Sequence, residues 1–425
     1  MRLLLLYFLF LPFILIGQVL PERPASALNK VILYSDSTFF VHSNIYYEEG
    51  TLFEVIGETR FEYEDEAQNQ KFKWYQVKTP DGKVGWIYGD GLAVVVSDRE
   101  IDPLLESYHL RSFNFSEDLN QATTWVASIE GKDNFHQEDY LNPLYKEFYL
   151  VVTSQLGKSF HIQVSGESAM GSSQLRQFNI QDLTGDAVPE ILLLRGNLNS
   201  GSTFENKHLE IYTFQAGSIN KVFEERMNFP SRTSVAPPSL SKFVEINKKT
   251  IRVAYLDFLP CVDYSLSLQP NEEDIEKESC MEYVTYSYLW DDQSKAYTAL
   301  YEESRTWVEG QLKLDKGFLR DKPSYLSGIN EKLAPKSRLK IIQAFQKSIT
   351  QRGQQKIVPY LYVQSERGNY GYIHAKDVQF INNEYSFLLT HYYQNIATDK
   401  NATPRDSTFL IIKMEDEQMI ISKNE

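Results

Sequence analysis

The sequence predicts an all-β protein, and three observations carry that prediction. Aromatic residues make up 13% of the 425-residue chain, and Tyr and Phe favour pleated, half-buried surfaces. Several segments alternate apolar and polar residues with period two, as half-buried strands do. Turn pairs that contain Gly separate such segments where hairpins need them. At about 150 residues per domain, the chain is long enough for two to three domains, each with its own core.

The N-terminus predicts an exported protein. Arg2 precedes an apolar run over 3–16, which is shorter than the roughly 20 residues of a membrane-spanning helix. A positive residue, a short apolar run and the small residues Ala25-Ser26-Ala27 are typical of a secretory signal peptide at 1–27, cleaved after Ala27. Cleavage at Gly17 and an uncleaved N-terminal anchor are the alternatives. We expect a periplasmic or extracellular protein with no membrane span after signal removal.

A repeated pattern of short strands lies near both ends of the chain, at 29–96 and at 316–381. Residues 74–87 and 360–373 align without a gap, at an offset of 286 positions. Alternation around Val77 and Val363 predicts half-buried strands. Asp81-Gly82 and Arg367-Gly368 stand where a tight hairpin turn needs a residue that tolerates positive φ. Gly85 and Gly371 then precede an aromatic-Ile pair, where a side chain would block close backbone approach.

These segments resemble the bacterial Src-homology-3-like (SH3-like) domain, which is found widely in exported envelope proteins. The resemblance is carried by Gly50 to Val55, Trp74 to Val77 and Asp81 to Ile87 in the first copy, and Tyr360 and Tyr372 replace its two Trp residues in the second. It implies two small five-stranded barrels that bind cell-wall peptide or a partner protein, with no catalytic chemistry. A role as spacers is the alternative.

A ligand of such a filled barrel must lie on exposed aromatic side chains and loops. The expected ligand-binding residues are therefore seven of the tyrosines in the two copies, namely Tyr46, Tyr47, Tyr75, Tyr88, Tyr325, Tyr362 and Tyr370. Trp86 is expected to be half-buried against the barrel end.

The segment at 98–311 predicts a larger, mainly antiparallel β-domain between the two barrels. Hairpins are expected around 201–217 and 283–301, and residues 249–255 alternate with period two. A helix is expected only over 142–148, with Pro143 in its first turn. Residues 382–425 are expected to form a C-terminal β extension.

An Asp-rich loop at 182–190 is the candidate metal site. Oxygens of Asp182, Thr184, Asp186, Glu190 and the carbonyl of Val188 fall at alternate positions, which suits a hard cation. The loop resembles that of integrin-alpha-type and related propeller-like repeats, although Thr184 replaces a carboxylate or amide and Ala187 replaces a Gly. Calcium is the candidate cofactor, and a purely structural turn is the alternative.

Cys261 and Cys280 are the only cysteines and lie close in sequence. In an oxidising compartment such a pair predicts a disulfide, which would contribute on the order of 3 kcal/mol by constraining the unfolded chain. Two separate buried thiols are the alternative.

The remaining motifs argue against two classes of function. A net charge of −14 disfavours nucleic acid as a partner, because the phosphate backbone would be repelled. None of the seven His stands in an H-E-x-x-H pattern, and neither a nucleophile elbow nor a phosphate-binding Gly-rich loop is present. The sequence thus predicts a non-enzymatic envelope binding protein. The alternatives are a structural or calcium-stabilised surface protein and a hydrolase with an unrecognised site in the middle domain.

Overall fold

The computed structural model describes most of the chain between residues 20 and 381 and two short strands beyond it. The described residues are 20–37, 42–65, 70–115, 119, 121–133, 144–168, 171–199, 206–215, 217–229, 240–241, 243–260, 279–324, 326–351, 354–381, 412–414 and 418–419. Strands dominate these residues, so the all-β prediction is confirmed. No helix among them is long and apolar enough to cross a membrane.

The chain divides into two compact units. The first comprises Met1–Asp182, Asp186–Glu205 and Leu209–Glu224, and the second comprises Leu183–Gly185, Asn206–His208 and Glu225–Glu425. The division near residue 225 falls inside the predicted middle domain at 98–311. The first half of that segment therefore belongs with the N-terminal copy of the repeat, and the second half with the C-terminal copy.

The described residues of the first unit form a closed, hydrogen-bonded β-barrel and include a short α-helix, α1 (Pro103–Glu106). Its strands are β1 (Pro24–Ala27), β2 (Val31–Tyr34), β3 (His42–Tyr47), β4 (Leu52–Glu58), β5 (Tyr63–Asp65), β6 (Gln70–Phe72), β7 (Trp74–Lys78), β8 (Val84–Tyr88), β9 (Leu92–Val95), β10 (Arg111–Phe113), β11 (Ala122–Asp133), β12 (Leu144–Thr153), β13 (Ser159–Ser168), β14 (Gly171–Gln181), β15 (Glu190–Asn199), β16 (Asn206–Gln215) and β17 (Ser218–Arg226).

Two of the apolar cores described in this unit show how its strands pack. The first lies among β1 to β9 and is built from alternate residues, such as Phe53 and Val55 in β4 and Val77 in β7. The second lies beneath β11 to β16, where Leu150 and Ile191 are fully buried. The period-two pattern thus places one side of each strand in a core, and burying each large apolar side chain contributes about 1.5–3 kcal/mol.

The predicted helix over 142–148 is wrong where the structure describes it. Residues from Leu144 onward belong to β12, which pairs with β11 on one side and β13 on the other. Pro143 lies outside the described residues. The helix that does form is α1, where the side chain of Asp102 accepts a hydrogen bond from Leu104 N at 2.9 Å. Hydrogen bonds to β11 and β13 along both edges of β12, together with the burial of Leu150, outweigh the local preference for a helix.

The signal-peptide boundary after Ala27 does not fit the N-terminal strand. β1 pairs with β4 and β9, and the side chains of Ala25 and Ala27 are fully buried. Cleavage after Ala27 would remove this strand and leave the edges of β4 and β9 unpaired. The first copy of the repeat thus begins with β1 and not at residue 29, and the alternative boundary at Gly17 preserves it.

The second unit contains a two-stranded, a six-stranded and a seven-stranded sheet. Its strands are β18 (Asn228–Phe229), β19 (Leu240–Ser241), β20 (Phe243–Asn247), β21 (Thr250–Pro260), β22 (Ser279–Asp291), β23 (Ala296–Trp307), β24 (Glu309–Leu312), β25 (Gly317–Arg320), β26 (Ile329–Leu333), β27 (Arg338–Gln351), β28 (Gln354–Ser365), β29 (Tyr370–His374), β30 (Val378–Phe380), β31 (Ile412–Met414) and β32 (Gln418–Met419).

The six-stranded sheet contains β21 and the β22–β23 hairpin, as the period-two pattern of the sequence predicts. The hairpin turn begins at Asp291, whose carbonyl accepts a hydrogen bond from Lys295 N at 2.7 Å. In the C-terminal region, β31 pairs in parallel with β20. The described part of the predicted extension at 382–425 therefore belongs to this sheet.

The seven-stranded sheet repeats the strand order of the N-terminal copy. Its order is β26-β25-β29-β28-β27-β24-β30, and the pairings in the first unit give β3-β2-β8-β7-β4-β1-β9. Corresponding registers differ by 286 positions: Gln76 faces Trp86 in one copy, and Tyr362 faces Tyr372 in the other. Because β24 is the counterpart of β1, the second copy begins at Glu309 and not at residue 316.

Candidate functional site

The exposed tyrosines of the first copy lie on β3. Tyr46 is half exposed, with the ammonium of Lys30 5.2 Å from its ring centroid. Tyr47 is partly buried, and its hydroxyl donates to Asp81 Oδ1 at 2.8 Å. Hydrogen bonds from Lys83, Thr79 and Tyr47 hold the pKa of the Asp81 carboxyl well below its usual range. Tyr46 is thus available to a ligand, while the hydroxyl of Tyr47 is committed to a turn.

Tyr88 is buried, so the prediction that it is an exposed ligand residue is wrong. Its hydroxyl accepts a hydrogen bond from Phe72 N at 3.1 Å and donates to the carbonyl of Tyr63 at 2.6 Å. Its ring packs in a cluster with Phe72, Trp74 and Ile129. The reason is tertiary, because β11 pairs with β6 and brings Ile129 into the cluster that buries Tyr88. Trp86 is half-buried, as expected.

Tyr75 is also buried, with only 9% of its surface exposed, because it shares the core face of β7 with Val77. It nevertheless lines a cleft of about 370 Å³ in the first unit. The lining residues of this cleft, called the Tyr75 cleft below, are Arg23, Glu58, Lys73, Tyr75, Val94, Val95, Val96, Ser97, Glu100, Ser128 and Glu130. Of the predicted ligand tyrosines in the first copy, Tyr75 therefore reaches a cavity from inside the core.

Two clusters of charge line the Tyr75 cleft. In the first, Glu58 accepts hydrogen bonds from Arg23 at 2.5 Å and from Lys73 at 3.0 Å. Burial raises the pKa of Glu58, but these hydrogen bonds outweigh it and leave the pKa below its usual value. In the second, Glu100 and Glu130 both pair with Lys146, which lies 3.9 Å from the Glu100 carboxylate.

The second copy carries three neighbouring tyrosines on β28 and β29, one exposed and two half-buried, called the β28–β29 tyrosine surface below. It consists of Tyr362, Tyr370 and Tyr372. The ring of Tyr362 is stacked on that of Tyr370 at 6.1 Å and lies 4.9 Å from that of Tyr372. Tyr370 is 47% exposed, and its hydroxyl accepts a hydrogen bond from Gln364 Nε2 at 2.8 Å. Tyr325, the other candidate in this copy, lies outside the described residues.

Of this surface, sequence reasoning found Tyr362 and Tyr370 but left out Tyr372. The repeat could have identified Tyr372, because it aligns with Trp86, which the sequence predicts to lie at the barrel end. No sequence pattern indicates that Arg23, Glu58 and Ser128 of the Tyr75 cleft lie close together. They come from distant parts of the chain and meet only through the pairing of β1, β4, β9 and β11.

The Asp-rich loop forms a tight turn before β15. Ala187 N donates to Asp182 Oδ2 at 2.9 Å, and Val188 N donates to Asp186 Oδ1 at 2.9 Å. Glu190 is buried at the start of β15, and Thr184 is buried as well. Among the described residues no three carboxylate, His or Cys side chains are grouped to hold a metal ion. Asp182 and Asp186 thus accept hydrogen bonds from N–H groups of their own loop, as in a structural turn, and the calcium site stays a prediction.

The predicted disulfide lies partly outside the described residues. Cys280 belongs to β22, where its backbone faces Leu259 of β21, and Cys261 is not described. The pairing therefore stays a prediction.

Comparison with known proteins assigns no family to this chain. No protein-family model matches the chain, and no curated protein matches it.

Proposed function

We propose that the protein is an exported, non-enzymatic binding protein of the bacterial cell envelope. In this proposal the two SH3-like copies hold cell-wall peptide or a protein partner. The observation that carries it is the β28–β29 tyrosine surface: three aromatic rings stand together on the outer side of the second copy's sheet. Exposed tyrosines combine apolar area with a polar hydroxyl, as recognition surfaces do.

The cross-strand pairing supports a preformed surface. Tyr362 faces Tyr372, and Gln364 faces Tyr370, so strand register fixes the spacing of the rings before any ligand binds. Arg320 of β25 faces Tyr372 and adds a cation at the edge. Rigid aromatic side chains lose little conformational freedom on binding, which favours affinity.

Retention on purified cell wall tests this proposal. The variants Tyr362→Ala and Tyr370→Ala are expected to weaken binding by roughly 1–3 kcal/mol each, because a central aromatic anchor contributes about that much. Leu326→Ala is the matched control, since Leu326 is almost fully exposed in the same copy and lies outside this surface. Equal retention of all variants would contradict the binding role and favour the alternative, in which the copies are spacers of a structural surface protein. A hydrolase with a site in the middle segment is the second alternative.

Export and the Cys261–Cys280 bond belong to the same proposal. We expect mature protein that begins between Gly17 and Pro24, because β1 must remain with the first copy. Mass spectrometry of exported protein tests the boundary. Labelling of the denatured, unreduced protein with a thiol reagent tests the disulfide, and two labelled thiols would contradict it.

A further inference from the structure

The Tyr75 cleft lies in the first unit, and the second copy of the repeat lacks the tyrosine that lines it. At the offset of 286 positions, Tyr75 corresponds to Leu361, which is fully buried in an apolar core. The strand register is otherwise the same, since Val77 faces Gly85 and Val363 faces Gly371. Filling the core of β7 requires only an apolar side chain here. The hydroxyl of Tyr75 is thus a feature that the fold itself does not need.

Two hydroxyl groups line this cleft without a protein partner, those of Tyr75 and Ser128. Neither the Tyr75 phenol nor the Ser128 side chain makes a hydrogen bond within the described part of the chain, although both residues are more than nine-tenths buried. Because both residues line the same cleft, a ligand or water there can take the hydrogen bonds of their hydroxyls. Each hydroxyl offers one donor and two acceptor positions.

The charges of the lining give that ligand its chemistry. Arg23 and Lys73 each use one of their N–H donors on Glu58 and keep the rest for another acceptor. Glu100 and Glu130 share Lys146 and keep carboxylate oxygens for a donor. Burial and the charges of Glu58 and Glu130 raise the pKa of Tyr75 to about 12, so its phenol is a neutral donor at pH 7.

Tyr75 lines the same cleft as Arg23 and Glu58 of the first cluster and Glu130 of the second. A valine wall, Val94 to Val96, completes the lining. A cleft with donors for an anion, acceptors for a cation and an apolar wall suits a molecule that carries all three features. The volume of about 370 Å³ is within the range of small-molecule sites.

We infer that the Tyr75 cleft binds a zwitterionic amino acid or short peptide. Its carboxylate accepts hydrogen bonds from Arg23, Lys73 and the Tyr75 hydroxyl. Its ammonium group donates to Glu100 and Glu130, and its side chain packs on the valine wall. This site is separate from the β28–β29 tyrosine surface and does not depend on the function proposed for that surface.

Saturation-transfer NMR on the full chain, with the dipeptide alanyl-alanine as the probe, tests the inference. The zwitterion is expected to bind, and its N-acetylated and C-amidated forms, which each lack one charge, are expected to bind about tenfold more weakly or worse. Equal binding of all three forms, or no binding of the zwitterion at millimolar concentration, would overturn the inference.

Variants locate the site. Tyr75→Phe keeps the ring in the core and removes the hydroxyl, so the affinity for alanyl-alanine is expected to fall about three- to tenfold. Tyr46→Phe is the matched control, because it makes the same change on an exposed tyrosine of the same copy outside the cleft. Glu100→Gln, at the cleft rim, is expected to lower the affinity for the zwitterionic dipeptide. The affinity for the N-acetylated dipeptide, which has no ammonium group, is expected to stay unchanged. Unchanged affinity in Tyr75→Phe would overturn the inference, whatever the cell-wall assay shows.

Discussion

The imidazole of His161 lies 2.8 Å from the hydroxyl of Ser26, and this contact joins β13 to the N-terminal strand β1. Ser26 is fully buried, between Ala25 and Ala27 of the first core. Burial lowers the pKa of His161 to about 4, because the charged imidazolium would lose its hydration there. The strand that closes the first copy is therefore held by a histidine that must stay neutral.

We expect the first unit to lose stability as the pH falls from about 6.5 towards 4. The unfolded chain binds a proton at His161 below its ordinary pKa, whereas the folded chain resists it until about pH 4. The difference amounts to roughly 3 kcal/mol of unfolding free energy across this window. Urea melts at pH 7 and pH 4.5 measure it. In His161→Gln the unfolding free energy should change less between these two pH values. An equal change in that variant would contradict this account.

Removal of β1 should destabilise the first unit strongly. A chain that begins at Leu28 lacks Ala25 and Ala27 and leaves β4 and β9 without their shared partner. A chain that begins at Gln18 keeps the strand and is the matched control. Circular dichroism melting should show a lower transition temperature, or no cooperative transition of this unit, only for the shorter chain. Identical melting of the two chains would show that β1 is dispensable.

The two glycines that precede the aromatic-Ile pairs should not tolerate a side chain. A Cβ at Gly85 would lie 2.6 Å from Leu33 Cγ, and one at Gly371 would lie 2.8 Å from Leu319 Cβ. Gly85→Ala and Gly371→Ala are expected to cost about 1–3 kcal/mol each, the usual effect of overpacking. Gly82→Asn is the control, because this turn has a positive φ but open space around it. Chemical denaturation measures all three, and neutral alanine variants would refute the close approach.

The Asp-rich loop should respond to backbone strain and not to calcium. Ala187 adopts a φ of +67°, where a Cβ is unfavourable, so Ala187→Gly is expected to stabilise the protein by about 1 kcal/mol. Gly185 has a φ of +80°, so Gly185→Ala is expected to destabilise the protein. The melting temperature should be the same in calcium and in chelator. A higher melting temperature in calcium that Asp186→Ala abolishes would instead establish the cation site.

The sequence by itself determined the β class, the repeat and the β22–β23 hairpin of this protein. Each of these rests on local rules, namely alternation along a strand and a residue that tolerates positive φ at a turn. The positive φ of Gly82 and Gly368, and the matching registers of the two copies, follow from patterns that are visible in the aligned segments 74–87 and 360–373. The same local rules recovered two of the three tyrosines of the β28–β29 tyrosine surface.

Only the tertiary structure decided which aromatic side chains are buried and where a cavity forms. Tyr88 has the same outward parity as Trp86, but β11, which comes from a later segment of the chain, brings Ile129 into the cluster that buries it. Pro143 before Leu144 is typical of the first turn of a helix. Pairing with β11 and β13 nevertheless makes the segment from Leu144 the strand β12. The Tyr75 cleft joins Arg23, Lys73 and Glu130, which are adjacent only after these strands pair. Covering and pairing are long-range events, and a pattern with period two says which side a residue faces but not what lies against it.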